Sequence, residues 1–354
     1  MGLGPVMLDL LGTEMQQDEA ELLRHPLVGG VILFSRNYEE PGQLCELTRK
    51  IHQARQSPLL IAVDHEGGRV QRFRNRFTRI PAAALFGKLY ESDQKKSVEY
   101  ASKAGWLLAS ELLSVGVDLS FAPVLDIGTG RSKVIGERAF HRNIDVLTIL
   151  AKAYTKGMKS AGMAAVGKHF PGHGYVREDS HETVPVDDRS YEDIMMNDVV
   201  PFERMIAAGL EGIMPAHVIY PGVDNKPAGF SSIWLKQILR KQLRFQGTIF
   251  SDDINMEGAG TAGNYTDRAN AALEAGCDMV LVCNNRAAAI EVLTSLKVET
   301  DPLTQVRLMR MRADKDHKAF AELQQDSYWQ QVAAEIAGLE NAPELDLDDD
   351  AVQS

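Results

Sequence analysis

The chain has 354 residues, of which 44% are hydrophobic and 25% are charged, a composition that supports a large buried core and argues against disorder over most of its length. Its formal net charge of −11 argues against nucleic-acid binding, which depends on clustered Lys and Arg. No apolar run approaches the roughly 20 residues of a membrane-spanning helix. The three cysteines, Cys45, Cys277 and Cys283, are too few for a disulfide framework and lack the spacing of a zinc site, so we expect a cytoplasmic globular protein.

The N-terminal segment MGLGPVMLDLLGTEM lacks the basic start and the long apolar run of a signal peptide, so we predict that it forms the first strand. Seven further short apolar runs follow it, as expected for the buried strands of a parallel sheet. The eight predicted strands cover residues 4–9, 28–34, 59–64, 119–126, 164–169, 212–217, 247–252 and 279–284.

Amphipathic segments with helical periodicity alternate with these strands. They cover residues 14–24, 43–56, 94–114, 146–161, 191–208, 232–243, 267–275 and 287–296. Four of them are followed by a glycine that can close a helix in the left-handed conformation, namely Gly116, Gly162, Gly209 and Gly276. Eight strand and helix pairs predict an α/β protein with a (β/α)8 TIM barrel. A doubly wound open sheet is the alternative, which is weakened because no GxGxxG motif follows a predicted strand.

The chain is predicted to have three parts. Residues 1–300 form the barrel, which is a single domain because barrels of this class exceed the size at which other folds divide. Residues 301–340 form a helical extension that packs on the barrel, and residues 341–354 form a disordered acidic tail. Six acidic residues and no basic residue occur between positions 340 and 350, and without them the formal net charge falls from −11 to −5. The tail is most simply a solvated chain end.

Polar side chains stand at the carboxyl ends of seven of the eight predicted strands. In a barrel these ends converge on one face, where active sites lie. A single such residue would more simply be a helix cap or a satisfied strand-end group, but seven strands that end alike favour a functional site. The residues are Asp9, Asp64, Asp126, Lys168 with His169, His217, Asp252 and Asn284.

Three histidines follow one lysine in the segment GKHFPGHGYVREDSHET, residues 167–183. Because Pro171 and Gly172 prevent a helix there, His169 and His173 are not a helical metal-binding pair, and His173 is expected to support the turn. A metal site would need three or four ligands close together. This alternative rests on Asp64, Asp179, His181 and His217.

The same segment offers a candidate proton donor. Asp179 precedes His181 by two residues on a loop, and a carboxylate hydrogen-bonded to an imidazole fixes its tautomer and favours its protonated form. A turn-forming Asp next to an exposed His fits these two residues equally well. Strand seven ends in IFSDDINMEG, and a carboxylate in a barrel mouth opposite a proton donor is typical of glycoside hydrolysis. Lys168 next to His169 could hold ligand hydroxyl groups or pair with a carboxylate of the barrel.

Seven motifs occur in a specific order and spacing. They are VDHEGGRVQRF (63–73), FAPVLDI (121–127), IGERAF (135–140), GKHFPGHG (167–174), DSH (179–181), IMPAHVIY (213–220) and FSDDINMEG (250–258). With these motifs, from residue 5 to about residue 300, the chain resembles the single-domain, NagZ-type β-N-acetylhexosaminidases of glycoside hydrolase family 3. His65 stands in the first motif where the family commonly has Gln.

This resemblance implies a TIM barrel and a retaining, two-step mechanism. By position, Asp252 would be the nucleophile and Asp253 a supporting residue. His181 would be the proton donor and acceptor, and Asp179 would orient it. The positions that bind the N-acetylglucosamine unit would be Asp64, Arg72, Arg138, Lys168 and His169. No metal or organic cofactor is implied, and His217 lines the same face without an assigned role.

The implied activity is exo-hydrolysis of terminal β-linked N-acetylglucosamine from 1,6-anhydro-muropeptides in bacterial peptidoglycan recycling, with consequences for cell shape and cell division. The expected partner is this small-molecule substrate, without nucleic acid or membrane, and the expected state is a monomer. Two alternatives stay open. One is a phosphorylase with the same intermediate, because a neutral histidine repels phosphate less than a second carboxylate would. The other is a sugar-binding barrel without catalysis.

Overall fold

Eight parallel strands form the centre of the molecule, as the sequence predicts. The computed structural model describes residues 2–177, 184–256, 258–259, 263–298, 301–313 and 317–341. The strands are β1 (Val6–Asp9), β2 (Val28–Leu33), β3 (Leu60–Val63), β4 (Leu119–Ser120), β5 (Val166–Phe170), β6 (Gly212–Pro215), β7 (Thr248–Asp253) and β8 (Met279–Val282). Apart from the half-buried Asp252 and Asp253, every residue of these eight strands is buried, because helices cover the outside of the barrel and side chains fill its inside.

The sheet closes on itself. Its strand order is β4, β3, β2, β1, β8, β7, β6, β5, so β1 and β8 are neighbours. The two ends of this order meet through parallel bridges that join Ser120 to Ala165 and Val124 to Lys168. This closure confirms the (β/α)8 barrel and excludes the open doubly wound sheet.

Helices alternate with the strands at the predicted places. The helices outside the barrel are Gln17–Leu23, Pro41–Gln53, Ala83–Ser92, Gln94–Ser114, Ile144–Ser160, Tyr191–Met196, Val199–Ala207, Tyr265–Ala275 and Arg286–Ser295, with a wider helix of π-type geometry at Ile233–Gln242. The four glycines predicted to end helices, Gly116, Gly162, Gly209 and Gly276, all have positive φ. Their left-handed conformation turns the chain back towards the next strand.

Proline explains two departures from the predicted elements. The predicted helix 191–208 is two helices, because Pro201 has no N–H to donate to the carbonyl of Asn197, where the first helix ends. Strand four is shorter than the predicted 119–126, since Pro123 cannot donate to the sheet and only Val124 pairs again, with Lys168. The helix Ala83–Ser92 was not predicted at all.

The barrel interior is filled at its amino-terminal end and polar at its carboxyl end. Side chains from alternate strand positions pack inside, including the rings of Phe121 and Phe250, whose centroids lie 5.3 Å apart. Leu308 and Met311, which come after the last barrel strand, are buried against this cluster. The filled interior leaves the carboxyl ends of the strands as the place where a ligand can reach polar groups.

After the barrel, the described part of the chain has three α-helices, Pro302–Met309, Phe320–Leu323 and Ser327–Ala337, and a 3-10 helix, Gly338–Asn341. The last α-helix packs on the helix Gln94–Ser114, where Trp329 Nε1 donates to Glu111 at 3.2 Å and Lys103 pairs with Glu335 at 2.6 Å. The division of the chain at residues 300 and 340 stays a prediction, and the acidic tail beyond residue 341 lies outside the described residues. In the part of the chain that the structure describes, every helix is too short or too polar to cross a membrane.

Candidate active site

The polar strand ends converge at the carboxyl face of the barrel. The thiol of Cys283, just after β8, is fully buried beneath these strand ends. Burial raises the pKa of this thiol well above its ordinary value, and nearby carboxylates from β1, β3 and β7 raise it further. Those carboxylates belong to Asp9, Asp64, Asp252 and Asp253. Strands distant in sequence therefore bring their acidic ends to one site.

Lys168 and Arg138 meet on one buried carboxylate. The Nζ atom of Lys168, in β5, lies 2.7 Å from Oδ1 of Asp64 and 2.7 Å from Oε1 of Glu66. The guanidinium of Arg138 donates two hydrogen bonds of 2.8 Å to Glu66, one to each carboxylate oxygen. The structure thus brings together three of the five predicted sugar-binding residues, and it joins them through Glu66, which was not among them.

The opposite charges of this network stabilise one another's ionised forms. Burial favours the neutral form of Glu66, but the adjacent Arg138 and Lys168 outweigh it and hold the pKa of Glu66 far below its usual range. Burial also opposes the charge on Lys168, while Asp64 and Glu66 raise its pKa overall. Two cations and two carboxylates make a neutral cluster, so both cations stay charged at a site with little water.

His169 is fixed by Asp126, which is fully buried after β4. The Nδ1 atom of His169 lies 2.7 Å from Oδ2 of Asp126, and the backbone N–H of His173 donates to Oδ1 at 2.7 Å. Burial acts to raise the pKa of Asp126, but the neighbouring His169 lowers it overall. The hydroxyl of Tyr220 donates to the Gly172 carbonyl at 2.6 Å, so the turn after β5 is held from two sides.

The two aspartates at the end of β7 have different surroundings. Oδ1 of Asp253 accepts the backbone N–H groups of Asn255 at 3.0 Å and of Cys283 at 3.1 Å. Burial raises the pKa of Asp253 to about 7, although these two hydrogen bonds act to lower it. Asp252 is half-buried and accepts the N–H of Asp253 at 2.8 Å. Asp253 is therefore held by backbone N–H groups of its own loop and of the segment after β8.

His217 contacts the end of β7. It is fully buried two residues after β6, and its Nε2 atom is 3.1 Å from the backbone carbonyl of Asp253. Burial lowers the pKa of His217, and the charge of Asp252 opposes this effect. A neutral ring that donates through Nε2 would fix the end of β7, which is the role that the sequence left unassigned.

Arg72 lies apart from the Lys168 network. It is half-buried, its guanidinium stands over the ring of Phe34 at 5.8 Å, and its Nε atom has no hydrogen-bond partner among the described residues. The neighbouring His65 is buried against Phe73 and Phe77, with ring centroids 5.7 and 5.9 Å away. Burial, then the charge of Arg72, lowers the pKa of His65 to about 3, so its ring is neutral.

Two residues of this face were missed in the sequence. Glu66 lies inside the quoted motif VDHEGGRVQRF, and an acidic residue two positions after Asp64 was a usable signal for a partner of the predicted cations. Arg36 pairs with Asp9 and donates to Asn284 Oδ1 at 2.8 Å. In the sequence, β2 was the strand without a polar residue at its carboxyl end. Arg36 provides one, because it follows that strand by three residues.

The predicted proton donor and its partner, His181 and Asp179, lie outside the described residues. Two of the four candidate metal ligands are the same residues, and the other two are Asp64 and His217. Within the described ranges, no group of three or more His, Cys, Asp or Glu side chains is arranged to hold a metal ion.

Comparison with known proteins identifies the family. The sequence model of the glycosyl hydrolase family 3 N-terminal domain matches residues 6–312. A β-hexosaminidase of Thioalkalivibrio sulfidiphilus is 57% identical over 348 residues, covering 98% of this chain and 100% of that protein. A second β-hexosaminidase, of Methylobacillus flagellatus, is 54% identical and covers 92% of this chain and 93% of its own length.

Solved structures agree with the sequence comparisons. The crystal structure of NagZ from Neisseria gonorrhoeae in complex with N-trifluoroacetyl-D-glucosamine superposes with a TM-score of 0.91 at 44% identity, covering 96% of this chain and 98% of that one. A family 3 β-N-acetylglucosaminidase from a Paenibacillus strain has a TM-score of 0.82 at 29% identity and covers 95% of this chain. The chain therefore belongs to glycosyl hydrolase family 3 and is a glycoside hydrolase related to the β-hexosaminidases.

Proposed function

We propose that the protein is an exo-acting, retaining β-N-acetylglucosaminidase that works through a covalent glycosyl-Asp252 intermediate. The observation that carries this proposal is the position of Asp252 at the end of β7, half-buried at the same barrel face as Asp64 and Lys168. The relative from Neisseria gonorrhoeae was crystallised with an N-acylated glucosamine, which supports the same sugar here.

In the first step, an oxygen of Asp252 attacks the anomeric carbon while the bond to the leaving oxygen breaks. Protonated His181, oriented by Asp179, gives its proton to that oxygen. In the second step, neutral His181 takes a proton from water, the water oxygen bonds to the anomeric carbon, and the carboxylate of Asp252 leaves. Two inversions at one carbon give net retention of configuration.

Asp253 is a poor candidate for the nucleophile. Its Oδ1 atom is already engaged by two backbone N–H groups, and burial raises its pKa to about 7. A carboxyl group with this pKa is about half protonated at pH 7, and its protonated form attacks carbon weakly. This supports Asp252, the first residue of the pair, as the nucleophile.

The sugar unit would be held by Asp64, Lys168, Arg138, His169 and Arg72. The first three form one charged network, and charged groups make the strongest hydrogen bonds to hydroxyl groups. His169 is held rigid by Asp126, so its ring offers Nε2 in a fixed orientation. Such fixed donors and acceptors favour one sugar in one pose.

The proposed substrate in the cell is an N-acetylglucosaminyl-1,6-anhydro-muropeptide, and the proposed process is peptidoglycan recycling in the cytoplasm. A monomer would suffice, because each catalytic and sugar-binding residue comes from one chain. The division into a barrel over 1–300, a helical extension over 301–340 and an acidic tail over 341–354 is part of the same proposal. No cofactor takes part in either step.

The proposal is tested with p-nitrophenyl N-acetyl-β-glucosaminide. The purified protein is expected to release p-nitrophenol, and proton NMR during the reaction should show the β-anomer of N-acetylglucosamine first. Initial release of the α-anomer would contradict a retaining mechanism. Sugar binding without turnover would identify a non-catalytic binding barrel instead.

A second arm of the same test uses phosphate buffer. A hydrolase should yield free N-acetylglucosamine whatever the phosphate concentration. If N-acetylglucosamine 1-phosphate became the main product, the enzyme would be a phosphorylase with the same covalent intermediate, and the hydrolase proposal would fail.

A further inference from the structure

We propose that Glu66 is a positioning residue of the sugar site, and that its carboxylate fixes the position of both Arg138 and Lys168 and keeps Lys168 charged. This inference rests on the proposed function, in which those two cations bind the sugar. It adds a residue that touches neither the sugar nor the reacting atoms but acts through both cations.

Glu66 has the geometry of a fixed anchor. It receives the Nε and one terminal nitrogen of Arg138, each at 2.8 Å, and the Nζ of Lys168 at 2.7 Å. The paired bonds from Arg138 fix the plane of the guanidinium as well as its distance. The backbone also holds Glu66, because it lies in the short strand His65–Gly67 and its carbonyl accepts the hydroxyl of Tyr154 at 3.3 Å.

Burial separates Glu66 from Asp64. The side chains of Lys168 and Glu66 are 2% and 8% exposed, and that of Arg138 is 11% exposed. Asp64, at 23%, is the most exposed member of the network. Asp64 is therefore the carboxylate of the network that is more accessible to a sugar, and Glu66 is the more enclosed of the two.

The charge balance of the network depends on Glu66. With both carboxylates present, two cations face two anions. Without the carboxylate of Glu66, Lys168 would keep Asp64 as its carboxylate partner beside the cationic Arg138, and Arg138 would keep only the charges of Asp126 and Asp64. Since an arginine keeps its proton under all ordinary conditions, the change would fall on Lys168, which would lose its proton at lower pH.

The first test replaces Glu66 by Gln and measures inhibition of p-nitrophenyl glycoside hydrolysis by N-acetylglucosamine between pH 6 and pH 10. The variant is expected to bind the sugar about 10- to 100-fold more weakly. Its affinity should also begin to fall within this pH range, whereas that of the wild type, in which Asp64 and Glu66 raise the pKa of Lys168, should hold up to pH 10. A residue that only stabilised the fold would not move this pH dependence.

Glu137→Gln is the matched control. Glu137 is an exposed carboxylate next to Arg138 in sequence, so this variant removes the same formal charge without touching the network. It should bind N-acetylglucosamine as the wild type does at every pH. If Glu66→Gln behaved like Glu137→Gln, the positioning role would be refuted.

Glu66→Asp separates charge from position. It keeps the carboxylate but is one methylene shorter, so it cannot reach both cations at the same distances. The affinity should drop while the pH at which binding is lost stays that of the wild type. Glu66→Asp also tests the proposal if Glu66→Gln fails to fold. Unchanged affinity for N-acetylglucosamine in Glu66→Asp would refute the positioning role of Glu66. A wild type that neither binds N-acetylglucosamine nor hydrolyses its glycosides would instead overturn the proposed function, and this inference with it.

Discussion

Replacing the buried His65 by Leu should make the protein more resistant to acid. The His65 ring is enclosed by Phe73 and Phe77, and neither ring nitrogen has a hydrogen-bond partner among the described residues. Its pKa is about 3 in the folded protein against 6.5 for an ordinary histidine. Below pH 6.5 the unfolded chain therefore binds a proton that the folded protein refuses, and stability is lost as the pH falls.

The size of this effect follows from the two pKa values. Each pH unit between 6.5 and 3 lowers the free energy of unfolding by about 1.4 kcal/mol through His65 alone, or roughly 5 kcal/mol in total. Above pH 6.5 the residue contributes no pH dependence. Leu has a similar volume without the titrating ring, so the variant should lack this part of the acid sensitivity.

The assay is urea denaturation of the wild type and of His65→Leu at pH 7.5, 6.0, 5.0 and 4.5. The free energy of unfolding of His65→Leu minus that of the wild type should be roughly 3 kcal/mol larger at pH 4.5 than at pH 7.5. A difference that stays constant with pH would refute the view that His65 is held neutral.

Three further predictions concern the site and its support. Asp253→Asn should keep activity within about tenfold at pH 6, because its amide oxygen can still accept the two backbone N–H groups, and kinetics that fell as far as in Asp252→Ala would contradict this. His181→Ala should slow disaccharides far more than substrates with activated phenol leaving groups, since only poor leaving groups need the proton; equal losses in kcat/KM would argue against the assigned role. Burial raises the pKa of Glu111 to about 7, so the folded protein loses stability as the pH rises from 4.5 to 7. Between pH 4 and pH 8.5, the free energy of unfolding of Glu111→Gln, measured by denaturation, should therefore rise relative to that of the wild type by up to about 3 kcal/mol.

The barrel could be predicted from the sequence because its signals are local. Short apolar runs, amphipathic segments and glycines such as Gly162 and Gly209 each depend on neighbouring residues, and both glycines have the expected positive φ. The strand ends could be predicted for the same reason, since Asp64, Lys168 and Asp252 each follow or complete an apolar run. Their meeting on one face is a consequence of the parallel barrel.

The pairings within the site could not be predicted in this way. Lys168 could bind a ligand or a carboxylate, and the structure shows that it holds two carboxylates, Asp64 and Glu66. Residues 66 and 168 are brought together only by the closure of the barrel, which no local pattern encodes. The same is true of Arg36, whose partner Asn284 lies 248 positions away.

The claim that Asp252 is the nucleophile is tested most directly by trapping the intermediate. A 5-fluoro N-acetylglucosaminyl fluoride keeps the acetamido group, and its fluorine at C5 slows hydrolysis of the glycosyl-enzyme. Mass spectrometry of the protein should show one added sugar, and peptide mapping should place it on Asp252. A label on Asp253, or an active enzyme that never forms an adduct, would contradict the mechanism.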